Sequence, residues 1–356
     1  MLRCVRTQFR HSPLLGLPAA RKNIGRRRIP LPITLGVMTA AEGLLEVRHL
    51  TAAYAGAAVV RDVSFVIARG EVLGLLGESG CGKSSTALAI LGLLPRGGRV
   101  SGSVRFEGRE LLGLSEPEWQ RIRGAGLSLV FQEPRAALNP VMQVGKQVEE
   151  VIRAHRNGPS ARCGSEAREA LSRVGLDARV CRSYPHQLSG GQLQRVLIAQ
   201  ALACAPSLVL ADEPTASLDT VTQAGILELL RGLKTNSQLG MLVITHHPAI
   251  LNCLAERVLV MYAGQIVETG PREQIYSQPL HPYTAALLRC VAPLPGGFTD
   301  KHLPAIPGDH PDFASLPEGC AFTPRCERRL PACGATAPEL FEVAPSRHVR
   351  CHLYAQ

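Results

Sequence analysis

The sequence predicts an α/β fold whose core is a strand, glycine loop and helix unit. An antiparallel β subdomain and a helical subdomain flank it, and a small cysteine-rich extension follows. Three observations predict this. The apolar run Val72–Leu76 leads into a glycine loop and then an apolar helical pattern. A second apolar run ends in Asp212 and Glu213. Between them, 144–156 and 165–176 repeat apolar residues at helical spacing, with Gly175 suited to a helix end.

The 356 residues are 46% hydrophobic and 4% aromatic, which allows one large core or two to three smaller ones of Leu, Val, Ala and Ile. The formal charge is +10, yet residues 1–37 hold seven Arg, one Lys and no acidic residue, so the other 319 residues carry only +2. A nearly neutral body argues against a nucleic-acid surface.

The basic leader runs into IPLPITLGVMTAA, and its two prolines break it well short of the roughly 18 apolar residues of a spanning helix. The layout superficially matches an export signal or a transit peptide. The reading taken is a flexible tail, or a start assigned too early with Met38 as the true start. Residues 1–43 are thus set apart from a main unit over 44–295 and an extension over 296–356. Residues 44–70 and 100–112 alternate as short strands of a flanking antiparallel sheet.

Gly77, Glu78, Ser79, Gly80, Cys81, Gly82, Lys83 and Ser84 fit G-x-x-x-x-G-K-[ST], and Ser85 continues the stretch. Glycines let the backbone curl so that N–H groups face inward, and the helix N-terminus adds partial positive charge. Lys83 can neutralise β/γ-phosphates, and the Ser84 hydroxyl can ligate Mg²⁺. Cys81 contributes a backbone N–H rather than thiol chemistry. The core expected is therefore a P-loop NTPase, RecA-like, that binds ATP with Mg²⁺.

In such a sheet ligands gather at the carboxyl ends of strands. Asp212 is expected to hold Mg²⁺, and Glu213 to orient or deprotonate the attacking water. Alone, a strand ending in Asp-Glu is equally a solvated turn. The phosphate loop makes it the second half of a site.

LSGGQLQR (188–195) resembles the signature of ATP-binding cassette (ABC) transporter ATPases, and other stations of that family follow in order. Tyr54 matches the aromatic that stacks on adenine. Gln132 matches the glutamine between Mg²⁺ and the membrane partner. SLD (217–219) matches the loop that crosses the dimer interface, with Asp219 in it. His246 matches the switch histidine on the γ-phosphate. The resemblance implies that Ser189, Gly190, Gly191 and Gln192 bind the γ-phosphate of an ATP held by another subunit. With a single loop and a single signature, the chain is expected to need a second ATPase subunit; a homologous partner in a heterodimer is the expectation, and the motifs leave hetero- and homodimer open. His247 departs from the aspartate usual after the switch histidine, which leaves open how that loop is held.

VFQEPRAALNPVMQVGKQVEE is similar to the coupling region of peptide importers, and 274–290 with 303–326 resemble the C-terminal extension of dipeptide and oligopeptide importer ATPases. That branch also serves nickel and other small solutes. The resemblance implies an ATP-hydrolysing subunit on the cytoplasmic side of the cytoplasmic membrane. Its partners would be two membrane-spanning permease subunits and an external substrate-binding protein, with no nucleic acid. A soluble ABC ATPase acting on nucleic acid or ribosomes is the rival from another class. In the peptide branch the tail cysteines hold a [4Fe-4S] cluster. Here Cys320, Cys326, Cys333 and Cys351 are spaced C-x5-C-x6-C-x17-C, without the paired knuckles of zinc sites. A cluster that staples the tail ranks ahead of zinc, and disulfides come third.

Overall fold

The computed structural model describes residues 43–54, 56–156, 160–236, 238–290 and 305–355. The leader, Met38 and the boundary at 296 lie outside them.

The chain opens with an antiparallel hairpin, β1 (Gly43–Tyr54) and β2 (Ala57–Ala68). Next come β3 (Val72–Leu76) and α1 (Lys83–Ile90). β4 (Arg99–Phe106) and β5 (Arg109–Glu110) return to the hairpin and complete a four-stranded sheet in the order β2-β1-β4-β5. The chain continues through α2 (Glu116–Ile122), β6 (Leu127–Val130), α3 (Pro134–Ala137), α4 (Val144–His155), α5 (Ser160–Arg173) and α6 (Gly190–Leu202). It then alternates β7 (Leu208–Asp212), α7 (Thr220–Asn236), β8 (Gly240–Thr245), α8 (Pro248–Leu254) and β9 (Arg257–Tyr262). β10 (Gln265–Pro271), α9 (Arg272–Ser277) and α10 (Pro282–Arg289) follow, and the tail adds α11 (Ala332–Ala335), β11 (Phe341–Ala344) and β12 (Arg347–Val349).

The second sheet runs β11-β12-β10-β9-β3-β8-β7-β6, parallel from β9 to β6 and antiparallel at the other end. Its central strands are continuous apolar runs because both faces are covered. Their side chains alternate between two cores. Val72, Leu76, Val209, Ala211, Met241 and Val243 join the helical side. Leu73, Leu75, Leu208, Leu210, Leu242 and Ile244 face the antiparallel sheet. On the helical side, Val144, Val148 and Ile152 form the four-apart stripe that buries α4. Among the described residues no helix is long and apolar enough to cross a membrane.

The C-terminal residues extend the same sheet. β12 pairs with β10 through Glu268↔Val349 and Thr269↔His348. Phe322 is buried against Tyr262 and Tyr283, with ring centroids 5.2 and 5.4 Å away.

The described residues of the tail do not form the metal site expected from its cysteine spacing. Among the described residues, no group of three or more His, Cys, Asp or Glu side chains could hold a metal ion. This removes the [4Fe-4S] cluster and zinc alike, and the four tail cysteines are free rather than disulfide-bonded. Cys333 and Cys351 are buried, and Cys320 and Cys326 pack half-buried against the helical-side core. Burial pushes the thiols of Cys320 and Cys326 up and that of Cys351 up to about 11. The premise that this proline-rich tail needs a staple also fails, because strand pairing and the buried Phe322 anchor it.

Candidate nucleotide-binding and hydrolysis site

β3 gives way to the loop at Gly77, where a Cβ would stand 2.4 Å from the Met261 carbonyl oxygen. The turn is closed by Gly82 at φ 108, whose Cβ would strike the Val59 carbonyl at 2.4 Å. No other residue fits there. The Gly82 carbonyl then accepts from both the backbone N–H and the hydroxyl of Thr86 at 2.9 Å, so α1 springs directly from the loop. Lys83 is buried, and its Nζ donates to the carbonyls of Gly77 at 2.9 Å and Glu78 at 2.8 Å, which satisfies the amine inside the loop. Burial raises the Cys81 thiol, which keeps it inert.

Asp212 ends β7 and pairs in register with Ile244 of β8, which itself lies beside β3. Its carboxyl is nearly buried, with the Ser84 hydroxyl nearby. Burial first, then the neighbouring Glu213, raise its proton affinity, and the Ser84 hydroxyl lowers it. Its Oδ1 is buried with no hydrogen-bond partner. An orphaned carboxylate oxygen beside a serine hydroxyl is a donor set suited to Mg²⁺.

Glu213 sits at φ 47, held by its N–H to the Ile244 carbonyl at 2.9 Å. Its Oε1 accepts from the His246 backbone at 2.9 Å and lies 2.7 Å from His246 Nδ1. Its Oε2 accepts from the Thr245 hydroxyl at 3.1 Å. The carboxylate is 8% exposed and the imidazole 52%, so the histidine bridges the buried acid to the open site. The Thr245 hydroxyl also accepts from the His247 N–H at 3.0 Å. The switch loop is thus held by the backbone of residue 247, and its side chain need not be an aspartate.

Tyr54 ends β1 with its hydroxyl 3.1 Å from Ser85 Oγ, beside the loop. A cleft of about 390 Å³ opens there, lined by Tyr54, Val59, Ser79 and Gly80 among others. Gln132 lies two residues beyond β6, exposed and without a hydrogen bond among the described residues. The signature lies elsewhere. Ser189 and Gln192 cap α6 reciprocally, at 2.9 and 3.3 Å. A Cβ on Gly191 would strike Thr222 at 2.2 Å, and one on Gly190 would touch Leu218 at 3.4 Å. Asp219 accepts from the N–H groups of Val221 and Thr222 at 3.0 Å. The signature and the SLD loop are therefore packed together. Among the described residues no hydrogen bond joins Ser189–Gln192 to the phosphate loop.

Sequence reasoning missed Thr245, Tyr283 and Arg325. The Tyr283 hydroxyl accepts from the Glu78 N–H at 2.8 Å, and Arg325 pairs with the Glu78 carboxylate. Their partners in the loop lie 205 and 247 residues away, beyond any local signal.

Residues 60–216 match the model of the family described as ABC transporter, and residues 267–333 match that of the oligopeptide/dipeptide transporter C-terminal region. The chain is 41% identical over 317 residues to the oligopeptide transport ATP-binding protein OppD of Escherichia coli (strain K12), covering 87% of this chain and 93% of that one. The chain belongs to the ABC transporter family. The oligopeptide transport ATP-binding protein AppD of Bacillus subtilis (strain 168) is 42% identical over 301 residues, covering 83% of this chain and 91% of that one. Among solved structures, the ATP-binding cassette MJ0796, dimeric and bound to ADP and Pi, shares 29% identity at a TM-score of 0.58, covering 64% of this chain and 98% of that one. OppD and AppD are both named as oligopeptide transport ATP-binding proteins.

Proposed function

We propose that this ABC ATPase is the ATP-binding and hydrolysing subunit that energises a peptide importer. It works peripherally at the cytoplasmic face of the cytoplasmic membrane, as a unit over 44–295 with its C-terminal extension over 296–356. The observation that carries the hydrolytic reading is Glu213, buried, hydrogen-bonded by Thr245 and His246, and adjacent to the orphaned Asp212 beside the phosphate loop.

ATP phosphates replace the loop carbonyls as partners of Lys83, and the loop N–H groups supply the remaining donors. Ser84, Asp212 and Gln132 would hold Mg²⁺, which neutralises charge on the β- and γ-phosphates. Tyr54 stacks on the adenine. Glu213 takes the proton of the attacking water, and His246 orients Glu213 while meeting the γ-phosphate. Ser189–Gln192 and Asp219 act on the ATP of a second homologous ATPase. Their separation from this chain's own loop supports that reading, and so does exposed Val221 beside Asp219. Exposed Phe131 and Val141, near Gln132, suit contact with the two membrane-spanning subunits, which an external binding protein supplies with peptide.

The test is uptake of labelled di- and oligopeptides by cells lacking this gene, complemented with wild type or Glu213→Gln. Uptake restored by wild type alone supports the proposal. Uptake unaffected by loss of the gene, in a strain without another peptide importer, contradicts it.

A further inference from the structure

The C-terminal segment reaches the nucleotide site at two places that the roles above leave unused. Arg325, with a side chain 4% exposed, grips the Glu78 carboxylate with both terminal nitrogens, at 2.8 and 3.0 Å. Its Nε donates to the Pro307 carbonyl at 2.8 Å, which fixes the chain just ahead of residues 310–314. Pro311 and Phe313 from that stretch line the same cleft as Tyr54, Ser79 and Gly80. Phe313 is partly buried on the core cluster that also carries Tyr54. The cleft, about 390 Å³, is within the range of small-ligand sites and opens directly from the phosphate loop.

We infer that residues 310–314 form a wall of the base subsite, with Phe313 packing on the nucleoside together with Tyr54, and that Arg325 is the positioning residue that locks this wall to the phosphate loop through Glu78. The inference rests on the ATP-site reading above. A base has a flat face that an aromatic ring can cover. A bidentate guanidinium–carboxylate pair fixes orientation where a lysine would not. The tail is then part of the nucleotide site, and its docking sets how tightly the base is held.

Calorimetry on the full-length chain tests this with two ligands, Mg²⁺·ATP and inorganic tripolyphosphate with Mg²⁺, which lacks the base. Phe313→Ala is expected to weaken ATP by about ten-fold and to leave tripolyphosphate unchanged, and Phe313→Tyr is expected to restore ATP binding. Arg325→Lys is expected to weaken ATP more than tripolyphosphate, because both loop and wall are loosened. Equal ATP affinity in Phe313→Ala and wild type overturns the wall, and wild-type behaviour of Arg325→Lys overturns the lock. Should Arg325→Lys not fold, Glu78→Gln removes the same ion pair from the loop side and decides in its place. A wild-type chain that binds neither ligand overturns the nucleotide-site reading itself.

Discussion

Glu213 occupies the left-handed backbone region at φ 47, a conformation that costs a non-glycine residue of order 1–3 kcal/mol. Four contacts offset that cost, from the Ile244 carbonyl, the Thr245 hydroxyl, and the backbone and ring of His246. Glu213→Gln keeps most of that frame and removes the base. Single-turnover hydrolysis is expected to fall by roughly 10²–10⁴-fold while ATP affinity persists. Lys83→Ala should instead weaken ATP binding by roughly 10–100-fold in calorimetry, the loss of charge-assisted hydrogen bonds to phosphate. At this scale the sequence was legible wherever the chemistry is contiguous, as in Gly77–Ser84 and Asp212-Glu213. Thr245 and Arg325 were hidden because their partners are 32 and 247 residues distant. The cysteines misled because spacing along the chain does not fix whether side chains converge, and among the described residues no group of three or more His, Cys, Asp or Glu is placed to hold a metal ion.

Among elements, α1 depends on a glycine and α10 on a histidine. Gly82→Ala would push a methyl group into the Val59 carbonyl at a φ that favours glycine. It is expected to destabilise the chain by about 1–3 kcal/mol, read as a lower urea midpoint. His281 is buried and caps α10, with Nδ1 accepting from the Tyr283 N–H at 3.0 Å. Burial pushes its pKa down to about 3 from the ordinary 6.5. The unfolded chain therefore binds a proton below about pH 6.5 that the folded chain refuses. Stability is full above that pH and falls as pH drops toward about 3, by up to about 1.4 kcal/mol per pH unit. Urea unfolding between pH 7 and 5 should show that slope, and His281→Asn, which can still cap the helix, should flatten it. The strands around the loop and the helices of 144–176 were legible from periodicity. The pairing of β12 with β10 was not, since three residues carry no period of their own.

For the whole molecule, the tail and the main sheet share one buried charge pair. Arg347 of β12 lies 3.3 Å from Glu268 of β10, with side chains 7% and 0% exposed. Arg347→Ala leaves a buried carboxylate without its partner and is expected to cost about 3–5 kcal/mol. A melting temperature unchanged in that variant would refute the docking of the tail. The tail also touches the phosphate loop through Arg325, so a loosened tail should weaken nucleotide binding as well as stability. The central claim is hydrolysis at a site completed by a second ATPase, and phosphate release from Mg²⁺·ATP by the assembled transporter tests it most directly. Wild type should release phosphate steadily, and Glu213→Gln should release it at least roughly 100-fold more slowly while still binding ATP. Equal rates from the two assemblies would contradict the role of Glu213 and the site built around it.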